Sequence, residues 1–460
     1  MTTLFDAWQF GSATWEVASA TMARPDVIAA LQRQRLGALL ASARERSPFY
    51  REHFKGMPSG PEALLDVGPV CRRELMERFE DWVCDPDLRL DPLRAFIAER
   101  KNIGEPYRGR YLVWESSGTS GSPGVFVQDA RCMALYDALE AQRRHTASLA
   151  QRMLDPLCLG ERFAFVGVTD GHFASYVTVE RLRRLQPWMA ASVQSFSILQ
   201  SLDSLLAQLE AFSPSLLSTY PSVAAMLAQE VDSHRLRLPA LREVWTGGET
   251  LGNAARRRIE QQLGASVRNS YGASEFLPMG WECREGRMHL NSDWVLLEPV
   301  DDRQRPVPAG EPSASVWLTH LGNTVQPLIR YDLGDHLMFT GEACPCGCAL
   351  PVIDVQGRRD DTLRVAGANG RSVALLPLAL STVLEETAGL FDFQVCQKDD
   401  RTLILRLPST GEEGQQALAR GRAALQAFAK LQGAVPVKVL GELGIDVPRG
   451  RSGKSCRILP

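Results

Sequence analysis

The sequence lacks several features that would place it in a specialised class of protein. Its 51 basic and 54 acidic residues leave a formal net charge of only -3 over 460 residues, which gives no reason to expect nucleic acid or an anionic membrane as a partner. No stretch approaches the roughly 18 consecutive apolar residues of a membrane span, and the first residues lack a basic start followed by an apolar run. We therefore expect a cytoplasmic protein.

The ten cysteines show no sign of a disulfide framework. Six of them stand apart without a pairing pattern: Cys71, Cys84, Cys132, Cys158, Cys396 and Cys456. In a cytoplasmic protein such thiols are mostly reduced and buried. The exception is the close cluster at residues 344–348, with the sequence Cys-Pro-Cys-Gly-Cys.

Hydrophobic periodicity predicts an α/β fold for the larger part of the chain. Apolar residues recur at helical spacing over residues 27–46, which predicts an N-terminal helix. Between about residues 130 and 260, strand-like and amphipathic stretches alternate, as expected for strand–helix crossovers and mostly parallel sheets with covered faces. Short extended runs between residues 288 and 354, including residues 328–330, predict a β-rich lobe.

The pattern of predicted elements indicates a separate compact unit after Gly357. A predicted helix at residues 375–385, a strand at residues 402–407 and a long amphipathic helix at residues 412–431 suit a small α+β domain. We therefore predict a large N-terminal domain, residues 1–356, and a small mobile C-terminal domain, residues 357–460. The sequence leaves the oligomeric state open, with a homodimer as one alternative.

Residues 115–124 have a composition suited to binding phosphate. Their sequence, Glu-Ser-Ser-Gly-Thr-Ser-Gly-Ser-Pro-Gly, holds five hydroxyl side chains and three glycines directly after an apolar run. Glycines let the backbone approach an anion closely, and hydroxyl groups add neutral hydrogen-bond donors. A flexible polar loop is the alternative. The segment has no G-x-x-x-x-G-K-[ST] pattern, so an ordinary ATPase or phosphotransferase site lacks support.

Five further segments follow this loop in order. They are residues 245–250 (Trp-Thr-Gly-Gly-Glu-Thr), 271–275 (Tyr-Gly-Ala-Ser-Glu), 330–335 (Arg-Tyr-Asp-Leu-Gly-Asp), 357–361 (Gly-Arg-Arg-Asp-Asp) and 452–454 (Ser-Gly-Lys). The ordered series resembles the adenylate-forming enzymes, and most closely their phenylacetate–CoA ligase-like branch. The resemblance implies an ATP-dependent ligase that joins an acid to AMP, releases pyrophosphate and then transfers the acyl group to a thiol.

The resemblance also implies which residues bind the nucleotide. The set comprises Ser117, Gly118, Thr119, Ser120, Gly121, Gly247, Gly248, Glu249, Tyr271, Gly272, Asp335 and Arg358. Residues 117–121 would hold the β- and γ-phosphates, and Tyr271 and residues 247–249 would flank adenine. Asp335 would accept hydrogen bonds from both ribose hydroxyls, and Arg358 would approach the ribose or phosphate. An ordinary strand-to-helix turn and an Arg–Asp surface pair are the alternatives.

Three residues are expected to act in catalysis: Lys454, Glu275 and His172. Lys454 would bridge the substrate carboxylate and the α-phosphate, with a solvated terminal lysine as the alternative. Glu275 would bind Mg²⁺, which prefers oxygen ligands, unless it is a surface carboxylate at a helix start. His172 would line or gate the acid pocket, or make an ordinary polar contact. Asp360 or Asp361 would be the hinge between the domains.

A second metal is expected at the cysteine cluster. Thiolate and imidazole groups are the ligands that Zn²⁺ takes in closed tetrahedral sites, and some phenylacetate–CoA ligase-like proteins place Cys and His similarly. We expect a structural zinc ion held by Cys283, His289, Cys344 and Cys346, with Cys348 competing for the last position. A turn that merely contains three cysteines is the alternative.

The resemblance implies an aryl or arylacetic acid as substrate and coenzyme A as the thiol. Phe173, Tyr220 and Trp245 are apolar enough to form an aromatic-acid pocket, although core packing explains them equally well. An acyl carrier protein, with its phosphopantetheine thiol, is the alternative acceptor, and the sequence does not separate the two.

Overall fold

The computed structural model describes residues 6–116, 123–144, 160–186, 190–368, 370–451 and 453–460. Within these ranges the chain has the predicted α/β fold, with both parallel and antiparallel strand pairs. None of the helices in these ranges is both long and apolar enough to cross a membrane.

Helices occur throughout the described residues. The α-helices are α1 (Ala7–Thr21), α2 (Pro25–Arg46), α3 (Pro48–His53), α4 (Arg72–Glu77), α5 (Phe79–Trp82), α6 (Leu90–Ala98), α7 (Ala130–Leu139), α8 (Ala174–Leu185), α9 (Leu202–Phe212), α10 (Pro221–Asp232), α11 (Asn253–Leu263), α12 (Pro377–Thr387) and α13 (Gly411–Leu431). A π-helical turn, Glu140–Arg144, extends α7, and short 3₁₀ turns span Pro61–Leu65, Arg100–Asn102 and Arg359–Asp361.

The strands are mostly short. They are β1 (Leu112–Glu115), β2 (Val125–Gln128), β3 (Phe163–Gly167), β4 (Val193–Ser197), β5 (Leu216–Thr219), β6 (Glu243–Gly247), β7 (Ser266–Tyr271), β8 (Gly280–Glu282), β9 (Met288–Leu290), β10 (Val295–Val300), β11 (Ser315–His320), β12 (Tyr331–Asp332), β13 (Asp335–Phe339), β14 (Ile353–Arg358), β15 (Leu363–Ala366), β16 (Ser372–Leu375), β17 (Gln394–Asp399), β18 (Thr402–Leu407), β19 (Lys438–Leu443) and β20 (Ile458–Leu459).

One compact unit comprises Met1–Ser197, Asn269–Leu333 and Leu337–Asp354. In it, β3 and β4 pair in parallel, β1 and β2 form an antiparallel pair, and β10, β11 and β12 form an antiparallel sheet. The end of β7 pairs with β8, which pairs with β9, both antiparallel. The N-terminal helix α2 begins at Pro25 and buries an apolar face that includes Leu36 and Leu39, as its periodicity predicts.

The other unit comprises Ile198–Arg268, Gly334–His336 and Val355–Pro460. Its strands β5 and β6 pair in parallel, and α10 follows β5 directly. Near the C-terminus, a sheet in the order β19-β18-β17-β20 shares one apolar core with α12 and α13. The predicted domain boundary at residue 357 remains a prediction.

Most predicted elements occur within a few residues of their expected bounds, but one extended run is wrong. Residues 328–330 do not form a strand. Arg330 has a φ of 50°, in the left-handed region, which a strand excludes. Its guanidinium binds the Glu298 carboxylate at 2.6 Å and the Val67 carbonyl oxygen at 2.7 Å, and these contacts hold the bend.

Candidate active site

The predicted phosphate loop, Ser117, Gly118, Thr119, Ser120 and Gly121, lies outside the described residues. The two ends of the segment are described, and they meet. Ser116 N donates to Gly124 O at 2.8 Å, and Gly124 N donates to the Ser116 hydroxyl at 2.8 Å. These two hydrogen bonds extend the antiparallel β1–β2 pair by one residue on each strand.

His172 supports the strand that leads into this segment. Its carbonyl oxygen accepts a hydrogen bond from Glu115 N at 2.8 Å, and its ring packs against Phe96 with centroids 5.9 Å apart. The side chain is buried, and burial lowers the pKa of the imidazole, with the Asn102 and Ile97 backbone opposing the shift. The ring is therefore neutral near pH 7. Its predicted role in the acid pocket remains a prediction.

Residues 271–275 form a tight turn after β7. Tyr271 ends the strand and is buried. A Cβ on Gly272 would lie 1.8 Å from the Leu277 carbonyl oxygen, so only glycine fits there. The Trp114 indole N–H donates to Ser274 O at 2.8 Å, and Ala273 N donates to Phe276 O at 3.0 Å. The turn therefore has a fixed shape.

Glu275, at the end of this turn, is a buried carboxylate. The Tyr331 hydroxyl donates to Glu275 Oε1 at 2.7 Å, which orients the carboxylate. Tyr331 belongs to the predicted motif at residues 330–335, yet its role was not predicted. Its position inside a motif was the only signal available in the sequence.

A buried polar pair lies behind the turn. The Tyr136 hydroxyl lies 2.9 Å from His320 Nε2, and Gly322 N donates to His320 Nδ1 at 3.1 Å. Because Nδ1 accepts, Nε2 carries the proton and donates to Tyr136. Burial lowers the pKa of His320 to about 3, and Phe276 packs against its ring with centroids 4.3 Å apart. The uncharged Tyr136–His320 pair therefore forms a rigid support behind the turn.

In the second unit, Lys454 lies directly against Gly248. A Cβ on Gly248 would be 2.9 Å from Lys454 Cε, 3.2 Å from Lys454 Nζ and 3.4 Å from Tyr220 Cε1. Gly248 follows Gly247, the last residue of β6, and has a φ of 77°. The structure therefore brings together two residues that the motifs place more than 200 positions apart, and glycine makes the contact sterically feasible.

The next residue, Glu249, accepts hydrogen bonds from the residue after Lys454 and from the start of α10. Glu249 Oε1 accepts from Ser455 N at 2.6 Å and from the Ser222 hydroxyl at 3.0 Å. Glu249 Oε2 accepts from Ser222 N at 3.0 Å, in the first turn of α10. Neither serine was predicted, although Ser455 adjoins Lys454.

Asp335 and Arg358 lie close together in the same unit. Arg358 Nε is 3.5 Å from Asp335 Oδ1, with Asp335 buried and the Arg358 side chain half exposed. Arg359 N donates to Gly334 O at 2.7 Å, which joins the two segments. Burial raises the pKa of the neighbouring Asp361, and the nearby charges of Arg358 and Lys454 oppose that shift. Anionic and cationic groups are therefore concentrated around the predicted hinge.

Contacts are described for each of the three aromatic residues expected at an acid pocket. Phe173 pairs through its backbone with Glu115, Tyr220 packs beside Gly248, and the Trp245 indole N–H donates to Glu243 Oε2 at 2.9 Å. Burial raises the pKa of the Tyr220 phenol, and the charge of Glu249 adds to the effect. The acid pocket remains a prediction.

Cys283, His289, Cys344 and Cys346 converge in the first unit. Their ligand atoms all lie within 4.8 Å of one another. Cys283 Sγ is 3.7 Å from Cys344 Sγ, and Cys346 Sγ is 3.4 Å from His289 Nε2. Ligands about 2.0 to 2.3 Å from one tetrahedral ion would be about 3.5 to 3.8 Å apart, so the spacing fits zinc. Cys348 is not part of this group.

The backbone around the group orients the ligand atoms. His289 Nδ1 lies 2.8 Å from Leu350 O, and a carbonyl can only accept, so Nε2 keeps its lone pair for a metal. Trp281 stacks on the imidazole with centroids 5.2 Å apart. Gly286 and Gly347, with φ of 70° and 86°, turn the two segments that carry the cysteines.

Comparisons with known proteins find similar sequences. A family model described as AMP-binding enzyme matches residues 190–319. The chain is 28% identical over 349 residues to the phenylacetate-coenzyme A ligase of Thermus thermophilus, covering 74% of this chain and 72% of the relative. It is 25% identical over 356 residues to the phenylacetate-coenzyme A ligase of Pseudomonas putida, covering 75% and 73% of the two chains.

A solved structure shares the fold. It is that of 2-hydroxyisobutyryl-CoA ligase in the postadenylation state with R3-HIB-AMP, which matches with a TM-score of 0.69 at 20% identity. The match covers 96% of this chain and 90% of the other.

Proposed function

Because this chain belongs to the phenylacetate–CoA ligase-like branch of the adenylate-forming enzymes and is an acid–thiol ligase, we propose that it activates an aryl or arylacetic acid and transfers it to coenzyme A. The placement of Lys454 against Gly248 carries the proposal, since it brings the C-terminal lysine to the segment expected beside adenine. The similarity to two phenylacetate-coenzyme A ligases supports an aromatic acid.

The proposed reaction has two steps. In the first, a carboxylate oxygen attacks the α-phosphorus of ATP, the bond to the β-phosphate breaks, and pyrophosphate leaves with the acyl adenylate formed. In the second, the thiolate of coenzyme A attacks the acyl carbon and AMP leaves. In this scheme the Lys454 ammonium stabilises the negative charge that develops at the α-phosphate in the first step.

The remaining residues would hold the nucleotide. Residues 117–121 would bind the outer phosphates, and Tyr271 and residues 247–248 would flank adenine. Asp335 would bind the ribose, and Arg358 would approach the ribose or phosphate. Glu275 would hold Mg²⁺, which neutralises phosphate charge when bound; a buried carboxylate oriented by Tyr331 suits that hard cation.

We also propose a structural zinc ion at Cys283, His289, Cys344 and Cys346. Three thiols and one imidazole form a closed donor set without an open position, which suits a structural ion rather than a catalytic one. The group would fasten the hairpin of β8 and β9 to residues 344–346. The cytoplasmic location and a homodimeric assembly remain predictions.

A pyrophosphate-exchange screen tests the function. The wild-type protein is incubated with labelled pyrophosphate, ATP, Mg²⁺ and single members of a panel of benzoates, hydroxybenzoates, phenylacetates and short fatty acids. We expect exchange into ATP with aromatic acids, and AMP rather than ADP as the product when coenzyme A is added. Exchange with none of the acids would refute the proposal, and thioester formation only on a carrier protein would change the acceptor.

A further inference from the structure

We propose that Glu249 is a positioning residue: it fixes the C-terminal lysine hairpin so that Lys454 meets the nucleotide segment, rather than contacting the nucleotide itself. The lysine hairpin is defined here as residues 448–451 and 453–456. This inference rests on the proposed function, because it concerns the adenylation step of that reaction.

The lysine hairpin is internally fixed by its own hydrogen bonds. Arg449 and Ser455 form an antiparallel bridge, and Cys456 N donates to Pro448 O at 2.8 Å. Gly450 N donates to Lys454 O at 2.9 Å, and Arg449 Nη1 donates to Gly453 O at 3.0 Å. A hairpin held in this way moves as one body, so a single contact outside it can set the position of Lys454.

Glu249 supplies such a contact. Two consecutive residues, Gly248 and Glu249, meet two consecutive residues of the hairpin: the Lys454 side chain crosses Gly248, and Ser455 N donates to Glu249 at 2.6 Å. A shift of the hairpin by one residue would break both contacts. These two contacts therefore fix both the register of the hairpin and its distance from residues 248–249.

The hydrogen bonds of Glu249 also argue against a role as a wall of the nucleotide site. Both carboxylate oxygens already accept from protein donors, two at Oε1 and one at Oε2. Ser222, at the start of α10, anchors the carboxylate, so Glu249 links a helix terminus to the hairpin.

The substitution Glu249→Gln tests the proposal, because the amide keeps the shape but loses the charge and one acceptor. Glu243→Gln is the matched control, since Glu243 lies on β6 and bonds Trp245 instead of the hairpin. For Glu249→Gln we expect kcat for acid-dependent pyrophosphate exchange to fall about tenfold to a hundredfold, with an unchanged KM for ATP. Thioester formation from preformed acyl adenylate should remain at the wild-type rate.

Other kinetic outcomes contradict the proposal. A raised KM for ATP with unchanged kcat would make Glu249 a nucleotide contact, and equal losses in both half-reactions would make it merely structural. In the Lys454→Ala background, Glu249→Gln should cause no further loss of exchange, because it acts through that lysine. A further tenfold loss would show that it acts elsewhere.

Hydrogen–deuterium exchange separates a failure of this proposal from a failure of the proposed function, since it needs no substrate. Peptides covering residues 453–460 should exchange faster in Glu249→Gln than in Glu243→Gln, because Ser455 N loses its charged acceptor. Equal exchange in the two variants would overturn the positioning role. Absence of acid-dependent pyrophosphate exchange in the wild type would refute the proposed function alone.

Discussion

At the scale of single residues, alanine substitutions at two glycines distinguish the effect of backbone strain from the effect of displacing Lys454. Gly248 and Gly264 have φ of 77° and 64°, but a Cβ on Gly264 would meet nothing within 4 Å. Substitution of either by alanine should lower the free energy of unfolding by about 1 to 2 kcal/mol. Only Gly248→Ala should also displace Lys454 and slow pyrophosphate exchange, by about tenfold or more.

Urea unfolding and pyrophosphate exchange, measured on both variants, check this prediction. Equal rates of exchange in Gly248→Ala and Gly264→Ala would mean that the Lys454 contact at Gly248 does not matter for adenylation. A loss of exchange in both variants would trace the effect to stability alone.

Tyr331 offers a second prediction at this scale. Tyr331→Phe removes the hydroxyl that orients Glu275. Tyr50→Phe is the control, since it removes a buried hydroxyl that accepts from Ile329 N at 3.1 Å. Each change should cost about 1 kcal/mol of stability. If Glu275 binds Mg²⁺, Tyr331→Phe alone should raise, by about threefold to tenfold, the Mg²⁺ concentration for half-maximal exchange. A Mg²⁺ titration of exchange activity checks this, and matching curves for the two variants would argue against the metal role.

At the scale of elements, the proposed zinc site joins the β8–β9 hairpin to residues 344–348. It predicts different effects for substitution of two nearby cysteines. Cys346→Ser should lose zinc because Cys346 belongs to the convergent group, whereas Cys348→Ser should retain it. Elemental analysis of the purified proteins measures the metal, and thermal unfolding should show a lower Tm for Cys346→Ser only. Wild-type protein with less than about half an equivalent of zinc would refute the site.

Sequence patterns predicted elements whose signal is local. The predicted segments at residues 27–46 and 402–407 match α2 and β18, because the buried apolar residues of α2 lie on one face and burial alternates along β18. Residues 328–330 had the same apolar character, but the left-handed backbone of Arg330 is imposed by contacts with Glu298 and Val67, which no local pattern reveals.

The same limit applied to the candidate site. The motifs singled out Glu275, Glu249 and Lys454, whose roles remain predictions, but they gave no sign of the groups that contact two of these side chains. Tyr331 is 56 residues from Glu275, and Ser455 is 206 residues from Glu249. The sequence also left the choice between Cys346 and Cys348 open, because both thiols follow Cys344 closely; in the structure, Cys346 Sγ lies 3.4 Å from His289 Nε2.

At the scale of the whole molecule, the proposed reaction makes different demands on the chain in its two steps. The first step places excess negative charge at the α-phosphate and needs a cation there. The second step expels AMP from an acyl group and needs the thiol instead. A lysine that serves only the first step should therefore affect the two half-reactions unequally.

Lys454→Ala should separate them. We expect acid-dependent pyrophosphate exchange to fall by about a hundredfold or more, because the developing charge loses its cation, while thioester formation from preformed acyl adenylate stays within about twofold of wild type. Lys430→Ala is the control, since Lys430 is an exposed lysine in the last turn of α13 and should leave both rates unchanged. Both half-reactions are followed by quenched-flow assays with the acid that gives the highest exchange. Equal loss of both in Lys454→Ala would assign the lysine to a step common to them, such as nucleotide binding, and would remove it from the chemistry of adenylation.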